Sequence, residues 1–252
     1  MANPALRVED EVRYALVAPL VREAPLWVDL GCGTGVSAAD GLRASAPRRA
    51  VLVDTSAEAL EQAARELASI GATTLQADLT NTQGTAAVRE AIGEAQGGIV
   101  TCFQTLAHLE NFVPCVDLLV ELGAVHTVVL SVPNDAFWSI ENPFHPTMWG
   151  AGAFEELRTL VPSEHVALEQ VALAGSAIAP SGAGELELAP ARLEAERVPA
   201  HFLLAFGPQA GLLAPVAATR MADAAEERRW ERERSSELAF MAARVQELES
   251  AS

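Results

Sequence analysis

Short apolar runs alternate with amphipathic stretches through the first half of the chain. Residues 26–30, 50–54, 73–76, 99–103 and 124–131 have the length and aliphatic content of buried strands. The segments between them carry helical spacing. In residues 56–70, Leu60, Ala64, Leu67 and Ala68 recur on one face, and Ser56 followed by Glu58 supplies a hydroxyl cap and an acid at the positive end of that helix. Residues 82–94 form the next helical stretch. Strands separated by helices predict βαβ units and a parallel sheet.

The rhythm changes after Val132. Pro133, Pro143 and Pro146 mark a long loop, and a helix is predicted from about Gly152 to Leu160. Two further apolar runs, 166–178 and 197–206, flank a segment that opens with the Pro, Gly and Ser-rich stretch 179–184. They read as an antiparallel hairpin that closes the sheet. The expected fold is therefore α/β and Rossmann-like: a doubly wound, mostly parallel seven-stranded sheet with a C-terminal antiparallel hairpin. One domain is expected over residues 1–217, including an N-terminal helix. Residues 218–252 are densely charged, with Leu238, Met241, Val245 and Leu248 at 3-4-3 spacing. They predict a helix that docks on its own domain, on a partner or on a second copy.

Composition narrows the partners. The chain has 252 residues, half of them hydrophobic, with 34 acidic side chains against 17 basic ones, and a net charge of −17. Such a charge repels phosphate backbones and anionic lipid headgroups, so neither nucleic acid nor membrane is expected as a partner. Nothing near the N-terminus resembles a secretory signal, and the apolar stretch 201–218 is broken by Pro208, Gln209 and Pro215 and is shorter than the roughly 20 residues that span a bilayer. A cytoplasmic location is expected. Cys32, Cys102 and Cys115 form no metal-ligand or redox spacing and read as reduced core thiols.

The candidate chemistry begins at Val28-Asp29-Leu30-Gly31-Cys32-Gly33-Thr34-Gly35, which follows an apolar strand and opens a helix. Glycines there let the backbone turn sharply and approach a bound nucleoside. A nicotinamide-binding loop is the rival, but the third glycine falls at Gly35, and Val36 stands where the dinucleotide fingerprint needs glycine. The segment resembles motif I of the class I S-adenosylmethionine-dependent methyltransferases, in which Asp29, Gly31, Gly33 and Gly35 belong to the cofactor site. The strand 51–54 ends in Asp54, whose carboxylate is placed to accept hydrogen bonds from both ribose hydroxyls. Thr55 shapes this edge. Gln76-Ala77-Asp78-Leu79 resembles the family motif in which an aspartate meets the adenine amine beside an apolar residue, and Phe103 joins these as a cofactor-binding position. The resemblance covers roughly residues 20–206 and implies S-adenosyl-L-methionine as cofactor.

Residues 99–111 resemble the family's fourth-strand region, with Gln104 and Ala107 where acidic residues hold a divalent metal in some subgroups. No metal site is expected here. Transfer to a hydroxyl needs the acceptor positioned and its proton removed, and histidine suits that task near neutral pH. His108, after the fourth strand, and His145, in the loop after the fifth, are the candidate bases. Trp138, Phe144 and Trp149 beside Asn134, Asp135 and Glu141 give that loop both apolar and polar groups, as in a small-ligand pocket. The expected function is methylation of a small polar acceptor, by analogy a sugar or other metabolite, on oxygen. A nicotinamide-dependent oxidoreductase and an inactive cofactor-binding subunit docked on a partner enzyme are the alternatives.

Overall fold

A computed structural model describes residues 4–42, 45–138, 145–171 and 198–216. Seven strands form one sheet: β1 (Trp27–Leu30), β2 (Ala50–Asp54), β3 (Thr73–Gln76), β4 (Ile99–Phe103), β5 (Thr127–Pro133), β6 (His165–Gln170) and β7 (His201–Phe206). Their order is β3-β2-β1-β4-β5-β7-β6. The first five run parallel, and β7 is antiparallel to both β5 and β6. This is the doubly wound sheet with a closing antiparallel pair that the hydrophobic pattern predicts. Its central strands β1, β4 and β5 are buried at every position, because helices cover both faces.

Strand alternation divides the core into two layers. Val28, Leu30, Val51, Val53, Val100, Cys102 and Leu130 face α4 (Thr82–Ile92), α5 (Val113–Leu122) and α7 (Ala151–Leu160). Trp27, Leu52, Ile99, Phe103 and Val129 face α1 (Pro4–Val21), α2 (Val36–Gly41) and α3 (Ala57–Glu66). The short α6 (Asp135–Trp138) follows β5. Local sequence starts the amphipathic helices: the Ser56 hydroxyl accepts the Ala59 N–H at 3.2 Å, and the Asn81 side chain accepts the Gly84 N–H at 2.9 Å. All three cysteines are free and buried.

Several boundaries differ from the sequence expectation. The fifth strand starts at Thr127 rather than Ala124 and runs on to Pro133, because α5 ends in a turn in which the His126 N–H donates to the Leu122 carbonyl at 2.8 Å. The buried His126 then accepts the Gly98 N–H on Nδ1 at 3.0 Å, fixing the start of β5 against that of β4. The first helix after β2 stops at Glu66 and not Ile70, and β6 ends at Gln170. The expected C-terminal helix, 218–252, lies outside the described residues. No helix among them is long and apolar enough to cross a membrane. Strand order reverses between β1 and β4, and the crevice at the carboxyl ends of those strands is where an open α/β sheet holds its ligands.

Candidate functional site

The chain leaves β1 through residues 31–35, where Gly31, Gly33 and Gly35 take φ of 77°, 54° and 73°. These left-handed angles favour glycine. Space separates their tasks. A Cβ on Gly31 would sit 2.2 Å from Thr105 Oγ1, whose hydroxyl donates to the Leu30 carbonyl at 2.7 Å. One on Gly35 would sit 2.9 Å from the Ala63 Cα, so this glycine lets the loop close on α3. A Cβ on Gly33 would meet nothing within 4 Å. The two outer glycines press on protein, and the middle one faces open space.

Asp54, at the end of β2, closes one side of that space. Its Oδ2 accepts the Gly33 N–H at 2.9 Å and its Oδ1 accepts the Ser56 N–H at 2.9 Å, and each oxygen retains a further lone pair. The neighbouring Thr55 carbonyl accepts Gln76 Nε2 at 2.8 Å. Asp78 is exposed after β3. The Thr80 hydroxyl and N–H and the Asn81 amide hold its carboxyl below the ordinary range. Leu79 beside it is buried. An exposed acid, an apolar side chain, a carboxylate with lone pairs to spare and an uncluttered glycine therefore line one edge. Two carboxylates that accept hydrogen bonds, beside an apolar side chain, fit the hydroxyls and amine of a nucleoside.

Asp29 points the other way, into the layer under α1. The Tyr14 hydroxyl donates to its Oδ2 at 2.8 Å and the Thr101 hydroxyl to its Oδ1 at 2.7 Å, while Trp27 Nε1 donates to Thr101 Oγ1 at 3.0 Å. Burial pushes the Asp29 carboxyl up to about 6; the two hydroxyls pull it back and the Asp54 charge adds to the rise. The Tyr14 ring meets Phe103 edge-on at 5.0 Å. Tyr14 is not among the sequence candidates. Its one signal is to be the chain's single tyrosine, on the helix that precedes the glycine loop.

The ends of β4 and β5 carry the other candidates. Gln104 follows β4 with φ of 60°, its N–H bonded to the Ser131 carbonyl at 3.0 Å and its Nε2 to Ser131 Oγ at 3.0 Å. A left-handed residue with a side chain stores strain of about 1 kcal/mol, and such strain collects at functional sites. The next turn, Leu106–His108, leaves His108 exposed. Its ring lies 5.0 Å from that of His145, edge to face. His145 Nδ1 in turn lies 3.1 Å from Asp135 Oδ1, and Asp135 Oδ2 accepts the Trp149 N–H at 2.7 Å. A carboxylate only accepts, so Nδ1 carries the proton and Nε2 is the basic nitrogen. The fold thus brings both candidate histidines together and places a buried carboxylate behind one of them. Asp135 appears in the sequence only as a polar residue of the loop, with no pairing to be read. Trp149 is buried against Phe112 at 5.5 Å and Trp138 lies half-buried, while Glu141 and Phe144 fall outside the described residues.

Comparison with known proteins places this geometry. A family model described as a methyltransferase domain matches residues 28–117. The chain is similar to the small RNA methyltransferase HEN1, with 19% identity over 79% of this chain and a TM-score of 0.54, but it spans only 25% of that protein's length. It is also similar to the methyltransferase domain of bacterial CtHen1-C, at 17% identity, covering 79% of this chain and 98% of that one, TM-score 0.54. A methyltransferase dependent on S-adenosylmethionine from Archaeoglobus fulgidus matches at 10% identity over 79% of this chain and 93% of that one, TM-score 0.52. No curated protein sequence matches at a significant level. The small RNA methyltransferase among these structures overturns the expectation that nucleic acid is excluded as a partner. Net charge is summed over the whole chain and does not fix the field at one crevice.

Proposed function

We propose that this chain is an S-adenosylmethionine-dependent methyltransferase, on the class I fold that its structural neighbours share, and we assign it an acceptor and a base. The acceptor is a hydroxyl on a small polar molecule, and its proton goes to His145. The observation that carries this reading is the Asp135–His145 pair at the end of β5, with His108 against it. S-adenosylmethionine supplies, when bound, a methyl group on a positively charged sulfur. Residues 31–35, Asp54, Asp78, Leu79 and Phe103 would hold it, with Asp29 bracing the loop from beneath. On transfer to the acceptor oxygen that methyl group would leave its bonding pair on sulfur, so the chain itself need only orient the acceptor and take up its proton. The hydroxyl proton passes to His145 Nε2, and Asp135 stabilises the resulting imidazolium. The half-buried Trp138 supports a small acceptor, since apolar walls with a few placed polar groups are the makeup of small-ligand pockets.

A second reading, an RNA hydroxyl, is favoured by the likeness to HEN1. One assay separates the two: formation of S-adenosylhomocysteine with hydroxylated small molecules in one set and short RNAs in another, for the wild type and His145→Gln. The expected result is turnover on a small molecule, a loss of about 10²- to 10⁴-fold in kcat for the variant, and unchanged cofactor affinity. Methylation of RNA alone overturns the small acceptor. Full turnover by His145→Gln overturns the base.

A further inference from the structure

The Asp29 carboxylate, near the end of β1, is buried without a counter-charge. It is 1% exposed, and none of the ion pairs among the described residues includes it. Its two hydrogen bonds are wired for the ionised form. Trp27 Nε1 can only donate, so Thr101 Oγ1 accepts there and turns its own proton to Asp29 Oδ1 at 2.7 Å, in preference to the Val28 carbonyl at 3.2 Å. The Tyr14 hydroxyl donates to the other oxygen. Buried charges are ordinarily paired with a charge of opposite sign, and two hydroxyls offset only part of the cost of burying one. Burial accordingly still holds this carboxyl up at about 6.

The surroundings add charge of the same sign. Asp54 ends the neighbouring strand, and its carboxylate raises the Asp29 carboxyl further. The glycine loop supplies nothing to balance the two, because its backbone donors are taken up within the protein. The Gly31 and Cys32 N–H groups go to the Val53 carbonyl, the Gly33 N–H to Asp54 and the Gly35 N–H to the Cys32 carbonyl. A loop that cradles phosphate keeps those groups for its ligand. This one leaves a crevice whose fixed charges are carboxylates, and such a field favours a cation.

S-adenosylmethionine and S-adenosylhomocysteine differ by one methyl group and one positive charge. Departure of the methyl group leaves its bonding pair on sulfur, so a sulfonium becomes an uncharged thioether. We propose that the unpaired buried charge of Asp29 makes the crevice prefer the sulfonium cofactor to its thioether product, so that methyl transfer itself weakens the hold on what remains. This rests on the cofactor reading above and not on the acceptor or the base. In the free protein the same charge is unfavourable, so its removal should stabilise the fold and yet weaken the cofactor. A residue that only braces the loop moves both in the same direction.

The test is calorimetric titration of the wild type and Asp29→Asn with S-adenosylmethionine and with S-adenosylhomocysteine, at about pH 7.5 and without any acceptor. The wild type should bind the sulfonium at least about tenfold more tightly, since opposite unit charges within about 10 Å attract by more than that at an effective dielectric of about 20. In Asp29→Asn, the affinity for S-adenosylmethionine should fall at least about fivefold while that for S-adenosylhomocysteine stays within about twofold. Equal or tighter binding of S-adenosylhomocysteine by the wild type overturns the proposal, and that measurement needs no variant to fold. An equal loss of both ligands in Asp29→Asn overturns it too, because a brace beneath the loop gives that result. Binding of neither ligand by the folded wild type overturns the cofactor reading and the preference with it. Nothing turns over in these titrations, so a missing preference leaves the acceptor and the base standing, and a failed acceptor assay leaves the preference standing.

Discussion

Asp29→Asn tests the energetic cost of the buried carboxylate under the glycine loop. The carboxyl rises from its ordinary 3.8 to about 6 on folding. That displacement of about two pH units corresponds to about 3 kcal/mol, at 1.36 kcal/mol per unit. A raised acid binds its proton more tightly in the native state, so stability from this group is fully present below pH 4, declines as pH rises through the window from about 4 to 6, and stays lost above it. Asparagine copies the protonated form. Its carbonyl can take the Thr101 hydroxyl, and its amide can donate to a rotated Tyr14 hydroxyl, so both bonds survive. Urea unfolding of both proteins at about pH 4.5 and pH 7.5 should show the variant gaining about 2 kcal/mol on the wild type between the two. A gap that does not change with pH would refute the desolvation argument. A variant less stable by the same amount at both values would mean that the hydroxyl bonds need the charge.

The loop glycines should separate in behaviour. Gly31→Ala must displace the Thr105 hydroxyl as well as strain the backbone, costing about 3 kcal/mol, read as a lowered melting temperature. Gly33→Ala meets no atom and should cost only about 1 kcal/mol, yet weaken S-adenosylmethionine by at least about tenfold in calorimetry. Burial lowers the His126 pKa from 6.5, so the stability that its neutral Nδ1 contributes is present above about pH 6.5 and is lost as pH falls below it. His126→Gln, which keeps an acceptor toward Gly98, should flatten the acid limb of stability against pH.

The sheet was legible because parallel strands buried on both faces leave continuous aliphatic runs, and the glycine loop because left-handed angles leave few residue types to choose from. Asp54 followed from its place at a strand end. The start of β5 misled, since Ala124 and Val125 are as apolar as a strand while the chain still has to turn out of α5; Val125 is in fact 39% exposed. Tyr14 on Asp29 depends on how α1 docks across the sheet, which no local spacing encodes. Asp135 and His145 lie ten residues apart in a loop without period, and their meeting follows from two bonds between Asp135 and Trp149, the Asp135 N–H to the Trp149 carbonyl and the Trp149 N–H to the Asp135 carboxylate. The charge argument failed for a different reason: a whole-chain sum was applied to a single crevice.

One helix reaches across the entire edge. Within α1, Glu9, Arg13 and Tyr14 span about 8 Å of axis, and they hold His201, Gln170 and Asp29 in turn. A helix fastened at these three residues cannot shift at one contact without disturbing the others. The turn beneath the glycine loop and the β6–β7 edge are thereby fastened to one element, so that a change in how α1 packs is felt at both places together.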